Sequence, residues 1–453
     1  MLLTALLVAC DKAPADTQAP AGQDTQAETP VDTQEPDTQD TAPTGDTVTW
    51  YADASPVLQQ HCTRCHYEAG LGTGDFTDYA TASAMAEVLV SQIDAGQMPP
   101  AASDPACRDY EGSDAMHITQ EARDVLQAWV EAGTPEGDPS TAVEVEALSD
   151  EMPGADTEVL MPAAYTPTFE DEREEGNEYR CFILDPLADE DTYITALNPV
   201  IDERSIVHHI VLYTAAESRL RDHHTAPEGF DCINGEEFTV VQDIVAAWAP
   251  GMLPIELPEG VGIKMKGGQK LLMQMHYFDP GNLKEGTSDQ TGYAFKTTDS
   301  VEVEADLEAW GIYDFRIPAD DPAYSASGTD RVPLSKDLTI YTMFPHMHVL
   351  GSGFQMTSTD AEGTEHCLVD SDGYDFNNQL QYVYSEPFVA TGGSELEYTC
   401  TWNNSTSNPD LVHDPPVETT YGERTDQEMC FFFAIVSEED AEVDDAPDAE
   451  PEP

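Results

Sequence analysis

The chain has 453 residues, with 18 Lys and Arg against 88 Asp and Glu, a formal net charge of −70. That charge is repelled by phosphate backbones and anionic headgroups, which excludes nucleic-acid partners. The 40% hydrophobic content, with 18 Tyr, 15 Phe and 5 Trp, excludes disorder throughout, and the length predicts two to four domains.

Residues 2–9 form an apolar run that Cys10 follows directly. The run is far shorter than the ~20 residues a spanning helix needs. Leu7-Val8-Ala9-Cys10 instead resembles a bacterial lipobox, which predicts a lipoprotein-type signal over 1–10 with lipidation of Cys10. No Lys or Arg precedes the run, a departure from the usual signal pattern. The expectation is an exported lipoprotein, periplasmic or at the cell surface, that meets a membrane only through its anchor. Over 11–47, Asp-Thr-Gln recurs four times among Pro and Ala with almost no apolar side chain. Such a stretch cannot offset its ordering entropy and reads as a disordered linker.

Residues 48–135 read as a small helical domain. Ala122, Val125, Leu126, Trp129 and Val130 fall at helical spacing, with Thr119 as candidate N-cap and Gly133 as the stop. Within this stretch, Cys62-Thr-Arg-Cys65-His66 is the C-x-x-C-H pattern of covalent haem c attachment. Two thiols one helical turn apart reach the two vinyl groups, and His66 reaches the iron from the same side. Gln97-Met98-Pro99-Pro100 offers Met98 as the second axial ligand, with Met85 and Met116 as competitors. Residues 50–135 resemble a cytochrome c domain. Residues 136–165, acidic and containing Pro and Gly, read as a second linker.

From 166 the texture changes to short β-branched and aromatic runs between Gly, Pro and Asp clusters: 205–213, 270–278, 337–343, 396–402 and 429–436. The predicted fold class is mainly β. Two antiparallel β-sandwich (jelly-roll) domains, 166–300 and 301–438, follow the small all-α domain. Residues 439–453 read as an acidic tail.

Three histidine groups lie in these runs: His208-His209 in Ile206-Val-His-His-Ile-Val-Leu-Tyr213, His276 in Met273-Gln-Met-His-Tyr-Phe278, and His346 with His348 in Phe344-Pro-His-Met-His-Val-Leu-Gly351. In a strand, positions i and i+2 share a face, so His346 and His348 can act as a pair. His208 and His209 point to opposite faces of a regular strand. They serve one metal only with a bulge or with unequal use of Nδ1 and Nε2. His223-His224, in a polar context, reads as solvated. Of nine cysteines, six (Cys107, Cys181, Cys232, Cys367, Cys400, Cys430) are left for disulfides in an exported chain, and spacing alone does not choose their pairing.

Residues 166–438 resemble the copper type II, ascorbate-dependent monooxygenases, the family of peptidylglycine α-hydroxylating monooxygenase and dopamine β-monooxygenase. The resemblance rests, in order, on Val207-His-His-Ile-Val-Leu, Trp248-Ala-Pro with Leu257-Pro-Glu-Gly-Val-Gly262, Gln274-Met-His-Tyr277, His346-Met-His-Val-Leu-Gly351 and Asp426-Gln-Glu-Met-Cys430. It implies two copper ions. His208, His209 and His276 would hold the electron-supplying copper, and His346, His348 and Met429 the oxygen-activating one. It also implies a Cys400–Cys430 disulfide. Imidazoles suit copper, and a thioether favours Cu(I). Where the peptidylglycine enzyme has an Arg two residues before its His-x-His pair, this chain has Phe344. Two polar positions after the ligand Met are Phe431 and Phe433, so a carboxylate substrate finds no counter-charge.

The expected function is hydroxylation of a C–H bond of a small molecule with O2. Electrons come from ascorbate or a periplasmic redox protein and pass through the fused haem. The alternative is a non-catalytic copper and haem redox or copper-handling lipoprotein.

Overall fold

The computed structural model describes residues 47–68, 70, 72–145, 148–169, 176–232, 237–279, 283–284, 286–422 and 424–441. Cys10, the signal over 1–10, nearly all of the 11–47 linker and the tail beyond 441 lie outside the described residues. The chain is mainly β with antiparallel sheets, preceded by a small helical region.

The helical region contains Ser55–His61, Tyr79–Asp94 and Gln120–Glu131. The last of these follows its sequence signals closely. Thr119 Oγ1 accepts a hydrogen bond from Ala122 N at 3.2 Å, Ala122, Leu126 and Trp129 are buried, and Gly133 takes the left-handed conformation just past the end. Trp50, Leu58, Leu89, Ile93, Leu126 and Trp129 make its core.

Residues 101–116 leave that core. Tyr110 and Met116 are buried in a β core instead, Ser103 N donates to Tyr382 Oη at 3.0 Å, and Cys107 is disulfide-bonded to Cys367, 260 residues on. The sequence reading expects this stretch inside the helical domain. The structure binds it covalently to the β region. A disulfide closing so long a loop typically stabilises by about 2–4 kcal/mol.

Two β cores follow. The first lies between a five-stranded sheet (order Phe230–Asp231, Asn177–Leu184, Leu271–Phe278, Val207–Ala215, Val241–Trp248) and one half of a nine-stranded sheet. The second lies between a four-stranded sheet (order Asp321–Arg331, Glu395–Asn404, Gly351–Thr359, Glu365–Ser371) and the other half. In Glu395–Asn404 buried and outward residues alternate along the whole strand, as its sequence predicts.

The nine-stranded sheet runs through both halves because Val303–Gly311 pairs in parallel with Val261–Met265, Val303 opposite Val261. Two self-contained sandwiches were the sequence expectation, and the shared sheet is the difference. Nothing in a strand's own residues tells which distant strand will pair with it. Residues 157–160, expected in a linker, form an edge strand on Gly292–Thr298, with Val159 buried.

All six remaining cysteines pair: Cys107–Cys367, Cys181–Cys232 and Cys400–Cys430, the last as the resemblance implied. Disulfides of this number mark an extracytoplasmic chain. Among the described residues no helix is long and apolar enough to cross a membrane.

Candidate copper sites and a thiol-lined cavity

The three-histidine site is a product of strand register. Val207–Ala215 lies antiparallel to Leu271–Phe278, with Val207 opposite Tyr277 and His209 opposite His276. The register shifts between those two pairs, so a bulge falls at His208. The bulge turns two adjacent side chains toward one point. His209 Nδ1 lies 3.2 Å from His208 Nδ1 and 3.1 Å from His276 Nδ1, and the three candidate ligand atoms lie within 4.8 Å of one another. Of the two solutions open for the His208-His209 pair, the chain uses the bulge, and all three rings turn the same nitrogen inward.

The opposite ring nitrogens of His276 and His208 are held from outside. His276 Nε2–H donates to Asn177 Oδ1 at 2.6 Å, and His208 Nε2–H donates to Asn377 Oδ1 at 3.4 Å. A neutral ring that donates through Nε2 carries its lone pair on Nδ1. Tyr179 stacks on His276 at 4.1 Å. Burial holds the His208 ring down at about 4, and pushes His209 and His276 well below the ordinary histidine value, with repulsion among the rings adding to it. One ring proton could bridge one of the two Nδ1 contacts but not both. Converging lone pairs of this kind fit a cation, and three imidazoles suit copper.

The second site is assembled from chain ends. His346 closes the strand Lys336–His346, and its Nδ1–H donates to Gln379 Oε1 at 2.7 Å. His348 lies past the strand, where its Nδ1–H donates to the Gln427 carbonyl at 3.1 Å. Both rings therefore keep Nε2 for a ligand role, and their centroids are 5.3 Å apart. Burial lowers His346 to about 4 and His348 to about 3. Met429 also precedes its strand, Phe431–Asp440, rather than sitting within it.

Between them stands Glu428, fully buried, a residue sequence reasoning passed over. Its carboxylate accepts from His348 N at 2.9 Å, Leu350 N at 2.7 Å, Trp402 Nε1 at 2.9 Å and Met429 N at 3.2 Å. Burial pushes its carboxyl up to about 8, against the opposing pull of those donors. One side chain thus ties together the two segments that present His348 and Met429.

Met429, His346 and His348 line one cavity of about 110 Å³ together with His209, Trp248, Phe344 and Phe433. The rings of His209 and His346 stand 6.5 Å apart, so the two histidine groups face each other. Met343 and Met347, the other methionines of the strand region, are fully buried in the second β core and do not line the cavity. Among the described residues no Lys or Arg lines it, while Glu237 does. Phe431 does not reach it and instead stacks on Phe433 at 5.7 Å. The expectation of a solvated His223-His224 pair needs correction. His223 is exposed, but His224 is buried against Phe230 and its Nδ1 accepts from Arg221 N at 3.0 Å.

A separate cavity of about 480 Å³ is lined by Cys62, Cys65, His66, Met85, Met98, Leu89 and Ile93. Cys62 and Cys65 are free thiols, and burial pushes Cys62 up to about 12. His66 Nδ1–H donates to the Thr73 carbonyl at 3.0 Å, which leaves Nε2 open, and Phe76 stacks on the ring at 4.5 Å. Gly72 is required beside it, because a Cβ there would collide with the His66 ring. Met98 and Met85 both line the cavity, whereas Met116 belongs to the second β core.

Residues 165–284 match the family model described as "Copper type II ascorbate-dependent monooxygenase, N-terminal domain". Over 282 residues the chain is 27% identical to the DBH-like monooxygenase protein 2 of Mus musculus, covering 57% of this chain and 43% of that protein. Over 257 residues it is 25% identical to the dopamine beta-hydroxylase of Canis lupus familiaris, covering 49% of this chain and 39% of that protein. The match therefore spans less than half the length of these relatives. The crystal structure of the infectious bursal disease virus VP2 subviral particle is similar at 10% identity over 66% of this chain and 79% of that one. Its TM-score of 0.19 is too low to bear on fold or function. The segment that matches the copper type II ascorbate-dependent monooxygenase model includes the strand pair that presents His208, His209 and His276.

Proposed function

We propose that this chain is an exported copper monooxygenase that hydroxylates a C–H bond of a small, not carboxylate-anchored substrate with O2, supplied with electrons through a covalently bound haem c. The observation that carries the reading is the single cavity in which His346, His348 and Met429 meet the edge of the three-histidine group. His208, His209 and His276 would hold one copper and His346, His348 and Met429 the other, and copper there would supply the one-electron chemistry by which one oxygen atom of O2 enters the substrate and the other is reduced to water. The protein's part is positional and electrostatic. Asn177, Asn377, Gln379 and the Gln427 carbonyl fix the ring tautomers, and burial keeps the imidazoles neutral. The Met429 thioether favours the reduced metal.

Phe344, Phe433 and Trp248 make the cavity apolar and exclude water from the reacting bond. With Glu237 and no lining cation among the described residues, a carboxylate substrate is disfavoured and a neutral or cationic one admitted. The thiol-lined cavity supports covalent haem through Cys62 and Cys65, with His66 as one axial ligand and Met98 as the other. A haem there is a one-electron store. O2, the substrate and an electron donor such as ascorbate or a periplasmic redox protein are the partners. The lipobox-like segment ending at Cys10 supports lipid attachment after export.

The test combines metal analysis with EPR, haem stain on a denaturing gel, and O2 uptake across a substrate panel. Expected are two coppers and one covalent haem per chain, and 18O from O2 in the product. Zinc in place of copper would sink the copper assignment. Copper without substrate-dependent O2 uptake would favour a redox or copper-handling module instead.

A further inference from the structure

One loop touches all three candidate centres. It runs over 375–379, between the strands Glu365–Ser371 and Tyr382–Ala390. On one side, Asp375, Asn377 and Asn378 form part of the wall of the thiol-lined cavity, opposite Cys62, Cys65 and His66. On the other, Asn377 Oδ1 accepts from His208 Nε2 at 3.4 Å and the Phe376 ring packs on His208 at 4.8 Å and on His348 at 6.0 Å. Gln379 then holds His346.

The helical region is locked onto this loop. Arg64, inside the C-x-x-C-H pattern itself, donates through Nη1 to the Gly251 carbonyl. Gly251 must lack a Cβ because one would collide with the Asn378 side chain. The Cys107–Cys367 disulfide fixes the same two regions from another side. The thiol cavity therefore does not meet the histidine site by diffusing on a tether. It is docked there, with Asn377 common to both.

We propose that Phe376 and Asn377 are the electron-transfer bridge between a haem in the thiol-lined cavity and the copper at His208, His209 and His276. This rests on the haem and copper reading above. In the step, the haem iron goes from Fe(II) to Fe(III) and the copper from Cu(II) to Cu(I). One electron moves, no proton does, and an external one-electron reductant such as ascorbate refills the haem. Both residues act through His208 and so position the pathway rather than touch substrate. Electron delivery becomes a property of the docked chain, independent of collisions between molecules.

The test uses the full chain carrying haem and copper, without O2. A light-triggered one-electron reductant reduces the haem in a pulse, and its absorbance bands follow reoxidation while freeze-quenched EPR follows loss of the Cu(II) signal. In the native chain the two should proceed together at a rate independent of protein concentration. Phe376→Leu and Asn377→Ala should each slow reoxidation by about tenfold or more, the scale on which outer-shell partners act. Reoxidation of the haem by ferricyanide should stay unchanged, which a merely damaged haem site would not allow. If Asn377→Ala loses copper, Phe376→Leu, which removes only a ring face, decides alone. Unchanged transfer rates in copper-loaded variants would overturn the bridge. Absence of haem stain from the native denatured band would instead overturn the haem reading, and the bridge with it.

Discussion

The two histidine groups are assembled by different means. In the first, His209 and His276 sit opposite each other on paired strands, and one bulge brings His208 into line. The ladder itself fixes the distances, while Asn177 and Asn377 set the tautomers. In the second, His346 ends a strand while His348 and Met429 lie outside any strand. No ladder holds them, and the buried Glu428 does so with four accepted hydrogen bonds. A site on a ladder inherits the rigidity of the sheet. A site at strand ends needs a dedicated anchor, whose loss should cost far more than loss of a tautomer-setting amide.

The most severe tests remove ligands. His209→Ala and His346→Ala should each lower copper from about two to about one per chain and abolish product formation, since each leaves one ligand set whole. Loss of both coppers from either variant would mean that the two sites are one assembly. Met429→Ile should remove the Cu–S contribution from X-ray absorption of the reduced protein while the EPR signal of the three-histidine site is unchanged. A surviving Cu–S contribution would point to Met343 or Met347, which the present packing places in the core.

Next come the two kinds of support. Glu428→Gln places an amide NH2 among backbone and indole donors, so at least one buried donor loses its acceptor. We expect a loss of about 2–3 kcal/mol of stability, the cost of one or two stranded buried groups, read by denaturant unfolding together with weaker copper at the second site. Asn177→Ala strands one buried ring N–H, so it should cost less, about 1 kcal/mol, and lower copper affinity of the three-histidine site by about 10–100-fold, read by competition with a chelator. Equal destabilisation by the two substitutions would erase the distinction between ladder and anchor.

The smallest effect expected is at the helical region. Thr119→Ala removes the hydrogen bond to Ala122 N and should cost about 1 kcal/mol, seen as a lower unfolding midpoint with copper content unchanged. A change in copper content there would show that the docked helical region supports the histidine sites as well.

Much of this molecule was legible in the sequence because the determinants were local. The cap at Thr119, the stop at Gly133 and the strand alternation over 395–404 are each set by residues a few positions apart. The candidate ligand residues were legible for a related reason. His208, His209, His276, His346, His348 and Met429 are chemically distinctive, and their short motifs are similar to those of a known family. Their supports were not. Asn177, Asn377, Gln379 and Glu428 are ordinary residues 33 to 169 positions from several of the rings or segments they hold, and only folding makes them partners.

The sequence by itself determined the acidic, mainly β character, the histidine-rich motifs and the C-x-x-C-H spacing, because composition and short spacing carry those. The tertiary structure alone decided the rest: the bulge that converges His208 with His209, the sheet shared by both β halves, the Cys107–Cys367 clamp and the 375–379 loop between the cavities. Each depends on which distant segments pair. That choice is made by the summed burial and hydrogen bonding of the whole chain rather than by any residue's own preference.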